Sequence, residues 1–138
     1  MRFQHLARMF YEWGWEIKHE HYVAFSDYVK EMTKQKRVMI MEKDQEMVGI
    51  IFFTITDDYT KLDRYSAWAL HTHNPYGHQF YIDKIVCKSF SRQLVRDIKL
   101  AVEKEYPNVI MGVYHRAPKD KCVKIHCGGR RELQSSIS

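Results

Sequence analysis

Lys88-Ser89-Phe90-Ser91-Arg92-Gln93 brings two hydroxyls and two cations together just ahead of an amphipathic run, and Arg96 follows Arg92 by one helical turn. Residues of this kind at the start of a helix suit an anion. Hydroxyls and first-turn N–H groups donate hydrogen bonds, and the positive end of the helix dipole adds attraction. The same cations fit an ordinary solvated helix face equally well. Just upstream, Asp83 lies in the apolar run Tyr81-Ile82-Asp83-Lys84-Ile85-Val86-Cys87. A carboxylate there can take a proton as a general base, or it can pair with Lys84 or with a backbone edge, and the pattern favours the pairing.

His71, His73 and His78 crowd one polar stretch. His-x-His holds a metal where a third ligand converges, but no Cys or carboxylate stands at a diagnostic spacing, so no metal site is expected. Cys122 and Cys127 flank His126. A thiol nucleophile with a histidine base is one reading, and buried structural thiols are the better one. Trp13, Trp15 and Trp68 with Tyr59, Tyr65, Tyr76 and Tyr81 could line a pocket or stack on bases. Packing accounts for most of them, and Trp68 is the least explained.

The elements that must position these groups fit one domain, 1–138, because 138 residues leave no room for two full cores. Hydrophobic residues at 45% and charged residues at 28% exclude wholesale disorder. A net charge of +5 favours anionic partners only mildly. Three cysteines cannot all pair within one chain, and none forms Cys-x-x-Cys, which suits free thiols in a reducing, cytoplasmic setting. The opening residues lack the apolar run of a signal peptide. The longest apolar stretch, 47–55, is about half of what a membrane span needs, so no membrane partner is expected.

Apolar residues at helical spacing predict helices over 3–15, with Gly14 as the stop, and over 21–34. Residues 38–41 and 47–56, joined by a polar turn, read as an antiparallel hairpin, with the second strand covered on both faces. Residues 57–77 read as a long loop and 78–87 as a strand in which Ile85 breaks the alternation. Ser89 or Ser91 caps a helix over 92–105, which Pro107 ends. A buried strand over 109–114 follows, then a short helix from Ala117-Pro118 to about Cys127, ended by Gly128-Gly129. The tail, 130–138, reads as loose, and its start could form a last strand.

This order of elements, with Tyr81 to Cys87 followed by a helix and Val109 to Tyr114 followed by 119–129, resembles the GNAT superfamily of N-acetyltransferases, and the small GNAT-like proteins of tailed bacteriophages in particular. The resemblance implies an α/β (α+β) domain with a central, mixed but mostly antiparallel sheet flanked by helices, its first strand reduced or missing. It implies that the strand around Ile85 splays from 109–114 and aims the next helix into the wedge. There acetyl-CoA would meet Ile85, Val86, Cys87, Lys88, Ser89, Ser91, Arg92 and Gln93. A small amine or a protein amine would attack the thioester, with Asp83 as base and Tyr114 or His126 as acid.

Two departures from the family pattern stand beside this. Residues 87–96 contain no glycine, where the family has a glycine-rich phosphate loop. Lys124 or Ile125 stands where the family often has an acidic tyrosine hydroxyl four residues before a glycine. They motivate an alternative: a non-catalytic structural or interaction protein, partnered by phage structural proteins or by its own copies, in the host cytoplasm or the virion. A nucleic-acid partner is not expected, because no reading motif is present.

Overall fold

A computed structural model describes residues 3–63, 68–116 and 121–128, apart from the side chain of Phe3. Helix α1 spans Phe3–Glu12. Leu6 and Phe10 form its buried stripe. The chain leaves α1 through Gly14 at φ 84. The Trp15 N–H returns to the Phe10 carbonyl at 2.9 Å and the Gly14 N–H to Tyr11 at 3.0 Å. This paired closure requires a left-handed residue, hence glycine. The indole of Trp15 then packs edge-on against Phe10, with ring centroids 5.1 Å apart. The helix thus ends three residues before the expected 15.

Helix α2 spans Tyr22–Lys34 and buries Phe25, Tyr28, Val29 and Met32 at helical spacing. It ends by the same closure, with the Arg37 N–H on the Met32 carbonyl at 2.8 Å. Here Lys36, not glycine, takes the left-handed position at φ 57. That closure delivers Arg37 directly into the core.

Strands β1 (Val38–Lys43) and β2 (Glu46–Thr56) form the expected antiparallel hairpin. Asp44 and Gln45 both have positive φ, as the two-residue turn demands. Strand β3 (Gln79–Cys87) pairs antiparallel with β2. Helix α3 (Arg92–Glu105) crosses to β4 (Met111–Arg116), which is parallel to β3. Strand β5 (Lys121–His126) returns antiparallel to β4. The open mixed sheet runs β1-β2-β3-β4-β5, and three of its four pairings are antiparallel.

Both faces of this sheet are covered, which is why β2 is apolar without alternation. Ile50, Phe52 and Val86 pack under α1 and α2. Ile51, Phe53, Ile55, Phe80 and Ile82 pack against Leu94, Ile98 and Val102 of α3. Among the described residues no helix is long and apolar enough to cross a membrane.

The short helix expected to reach Cys127 is not formed over its described part. Lys121–His126 is a strand, with Val123 and Ile125 turned toward the α3 side of the core. Pairing with β4 runs along its whole length and satisfies the backbone groups on its inner edge. Cys122 and Cys127 therefore do not share a helix turn. Cys127 is buried, as expected, and Cys122 is exposed, contrary to the expectation of two buried thiols. The helix start at Ala117-Pro118, Tyr65 and the tail 130–138 lie outside the described residues.

Candidate functional site

Two features of β3 organise the site. Across the β2–β3 ladder, Phe52 pairs with Lys84 and Phe53 with Ile82, so Asp83 is an extra residue, a β-bulge. The bulge explains why Ile85 breaks the alternation. Phe80 and Ile82 before it, and Ile85 and Cys87 after it, all reach the α3 side. The second feature is that β3 pairs with β4 only from Gln79–Met111 to Tyr81–Val113. Beyond that point the two strands part, at the level of the bulge.

On the α3 side, where β4 runs past its last pair with β3, lies a cleft of about 560 Å³ lined by Phe90, Ser91, Arg92, Val95, Arg96, Tyr114 and Arg116. Ser91 is the N-cap of α3, its hydroxyl accepting from the Leu94 N–H at 3.1 Å. The N–H groups of Arg92 and Gln93 come before any intrahelical acceptor exists for them. Three arginines line the cleft, and among the described residues no carboxylate does. Arg116 lies over the Phe90 ring at 5.7 Å from its centroid, and that ring packs on Tyr114 at 6.0 Å. Tyr114 is 9% exposed. An anion with a flat or extended apolar attachment suits these walls.

On the opposite face, under α2, Asp83 joins a buried polar cluster. Arg37 is 1% exposed. Its Nε donates to the Phe53 carbonyl at 3.0 Å, and Nη1 donates to Gln35 Oε1 at 2.8 Å and to the His71 carbonyl at 3.1 Å. Its Nη2 donates to Thr54 Oγ1, which donates in turn to Asp83 Oδ2 at 2.6 Å. Arg37 Nη2 is itself 4.0 Å from that oxygen. Asp83 Oδ1 lies 3.3 Å from His71 Nε2, close enough for an ion pair, yet no hydrogen bond aligns there among the described residues. Tyr28 Oη is likewise buried without a hydrogen-bond partner among them.

Burial pushes the Asp83 carboxyl up to about 6, against the pull of Thr54, Arg37 and Lys84. Burial, then Arg37, holds the His71 imidazole below its ordinary value. Burial also lowers the Lys84 ammonium, against the pull of Asp83. Lys84 Nζ sits 4.5 Å above the Trp68 ring. Tyr28, Trp68, His71, Tyr81, Asp83 and Lys84 surround a small polar cavity of about 20 Å³. Trp68 is thereby explained: it is a wall of this cavity and packs on Phe25, Tyr28 and Trp15.

Of the residues expected at the anion site, Ser91 and Arg92 line the cleft, with Tyr114 opposite. Lys88 does not: its N–H donates to the Val48 carbonyl and its ammonium to Glu46. The Gln93 amide is engaged with Asp97 at 2.9 Å. Ser89 is exposed beside the cleft without lining it. Ile85 and Cys87 pack toward α3 and Val86 toward α1 and α2, so these three can offer backbone only. His126 pairs with Met111, three residues before Tyr114 and away from the parting of the strands, which sets it apart from the other candidates.

Arg116 and Phe90 were missed, although Arg116 shares a strand face with Tyr114 two residues earlier. The three crowded histidines go separate ways. His71 faces Asp83, His73 Nδ1 accepts from the Ile55 N–H at 3.0 Å, and His78 Nδ1 meets the Asn108 carbonyl at 3.0 Å. In comparisons with known proteins, no family model matches the chain, and neither does any curated protein.

Proposed function

We propose that this chain is a GNAT-like N-acyltransferase that takes an acyl-CoA in the cleft between the start of α3 and the end of β4. One observation carries the reading: β3 pairs with β4 only as far as Tyr81–Val113, and past that point Tyr114 and Arg116 of β4 join Arg92 and Arg96 of α3 in lining one cleft. The donors suit a diphosphate. Arg92, Arg96 and Arg116 offer cationic forks, and the start of α3 offers N–H groups. These side chains stand in for the close backbone approach that a glycine loop would allow. The β3 edge at Ile85, Val86 and Cys87, which no longer pairs with β4, would accompany the pantetheine arm.

The acyl-CoA supplies an activated acyl group as a thioester. Asp83 takes the proton of the incoming ammonium by way of a water at Oδ1, since the cavity there, about 20 Å³, admits a water and not an amine, while Thr54 holds Oδ2. A carboxyl at about 6 is ionised at neutral pH and still basic enough to accept a proton. The neutral amine then attacks the thioester carbonyl, and the C–S bond breaks as the amide C–N bond forms. Tyr114 protonates the leaving sulfur from the cleft side, and the second proton shed by the amide nitrogen restores the phenol. Asp83 and Tyr114 lie on opposite faces of the sheet, so the reaction centre in this reading is the gap between the parted strands.

A second reading, a non-catalytic structural or interaction module of the same fold, is favoured by β5. A strand stands where the resemblance implies a helix bearing the acid. Calorimetry with acetyl-CoA and desulfo-CoA, followed by an amine panel, separates the two. Binding and turnover support the transferase. Binding without turnover of any amine supports the module. No heat and no thermal shift at millimolar ligand ends the acyl-CoA reading.

A further inference from the structure

We propose that residues 68–77 form a strap latched over the Asp83 cavity while His21 and His73 are neutral, and that mild acid releases it. The Trp68 indole N–H points at His21 Nδ1, 3.2 Å away. The Ile55 backbone N–H points at His73 Nδ1, 3.0 Å away. Indole and amide nitrogens can only donate, so both ring nitrogens must carry a lone pair. A proton on either one turns its hydrogen bond into two opposed N–H groups.

Other contacts also hold the strap: the Asn74 side chain donates to Asp57 Oδ2 at 3.3 Å, and His73 packs on the Phe53 ring. The Asn74 N–H donates to the Ile55 carbonyl at 2.8 Å, and Arg37 reaches the His71 carbonyl. Trp68 holds a left-handed backbone, at φ 61, which a bulky side chain rarely adopts. Its ring packing against Trp15, Phe25 and Tyr28 offsets that strain. Trp68, Ala69 and His71 are walls of the cavity that holds Asp83, so releasing the strap opens the cavity.

The charge around His73 agrees with a latch closed at neutral pH. Burial, then the charge of Arg37, holds the His73 ring below its ordinary value. Glu20 Oε1 lies 3.6 Å from His21 Nε2. His71 is faced by Asp83 and Lys84 from β3, by Arg37 from the end of α2 and by Asp63. Asp83 would compensate a charged His71, but the same fall in pH protonates Asp83, since burial has pushed its carboxyl up to about 6. The inference does not depend on acyl transfer.

Hydrogen exchange of the full chain tests it, compared between pH 7.5 and 5 after correction for intrinsic rates. Protection over 68–77 falls at least tenfold relative to β2 and β3 in the wild type. It stays unchanged in His21→Asn/His73→Asn, where a carbonyl oxygen can accept in place of each Nδ1 and cannot be protonated. Equal loss in the double variant, or no loss in the wild type, overturns the proposal. An NMR titration of the wild type needs no variant. The Ile55 amide signal shifts with the midpoint of the His73 ring, and a ring that titrates while Ile55 stays still overturns the latch.

Discussion

Thr54 Oγ1 donates a 2.6 Å hydrogen bond to Asp83 Oδ2 while accepting one from Arg37 Nη2, so a single hydroxyl links a buried cation to a buried anion. The β2–β3 register puts these groups together, because the bulge at Asp83 brings its side chain onto the Thr54 face. One carboxylate oxygen is thereby fixed, and the other is left facing His71 and the small cavity.

The first prediction follows from the sign of the Asp83 shift. Its folded value of about 6 stands above the ordinary 3.8, so the native state holds this proton more tightly than the unfolded chain. The contribution of Asp83 to stability is therefore fully present below 3.8, is lost as pH rises to about 6, and is flat above. Urea unfolding of the wild type against Asp83→Asn, from pH 4 to 7, isolates this term from other titrations. The wild type should lose about 2 kcal/mol relative to the variant across that window. If acyl transfer occurs, kcat/KM in the wild type rises through about pH 6. Asp83→Asn then lowers it at least about 100-fold.

Arg37 supports the second prediction. It is buried and bonds Phe53, Gln35, His71 and Thr54. Arg37→Met leaves those acceptors short of a donor and Asp83 short of a counter-charge, at a cost of about 3–5 kcal/mol. Arg37→Lys recovers little, since one ammonium cannot reproduce the fork. Adding Asp83→Leu to Arg37→Met should restore part of the loss, and a double-mutant cycle in urea reads the coupling.

Much of this architecture is legible in the sequence, and the gaps have physical causes. The helices and the hairpin announce themselves through periodicity and through Gly14. The bulge is visible as the misplaced Ile85. Strand β5 was also legible, since Val123 and Ile125 alternate with Cys122, Lys124 and His126. The glycine pair and Pro118 drew the reading to a helix instead. Arg37 was not legible. It stands in the basic run Lys34-Gln35-Lys36-Arg37, and its partners come from β2, β3 and the strap, which only the fold brings near. The cleft was half legible, because Ser91 and Arg92 are local to the start of α3 whereas Arg116 arrives along a different strand.

The third prediction concerns the β1–β2 turn. Asp44 and Gln45 hold φ 52 and 65, and Gln45 gains nothing from a side chain there that compensates the left-handed backbone. Gln45→Gly gives the Asp-Gly pair such turns prefer and should stabilise the fold by about 0.5–1 kcal/mol. Calorimetry should show a higher Tm. A lower Tm would mean that the unfolded chain gains more freedom than the turn sheds in strain.

The last prediction tests the cleft itself. Arg116 is exposed, and its described contact is the Phe90 ring, so Arg116→Gln should leave stability nearly unchanged. If the cleft holds the phosphates of an acyl-CoA, losing one charge-assisted fork weakens binding about 10- to 100-fold. It should also flatten the salt dependence, because fewer cations remain to be screened. Lys104→Gln is the control. It removes the same charge from the last turn of α3, away from the cleft. Calorimetry at two salt concentrations should show the loss for Arg116→Gln and little change for Lys104→Gln. Equal losses would mean that net charge alone attracts the ligand, and the three-arginine cleft would no longer account for its binding.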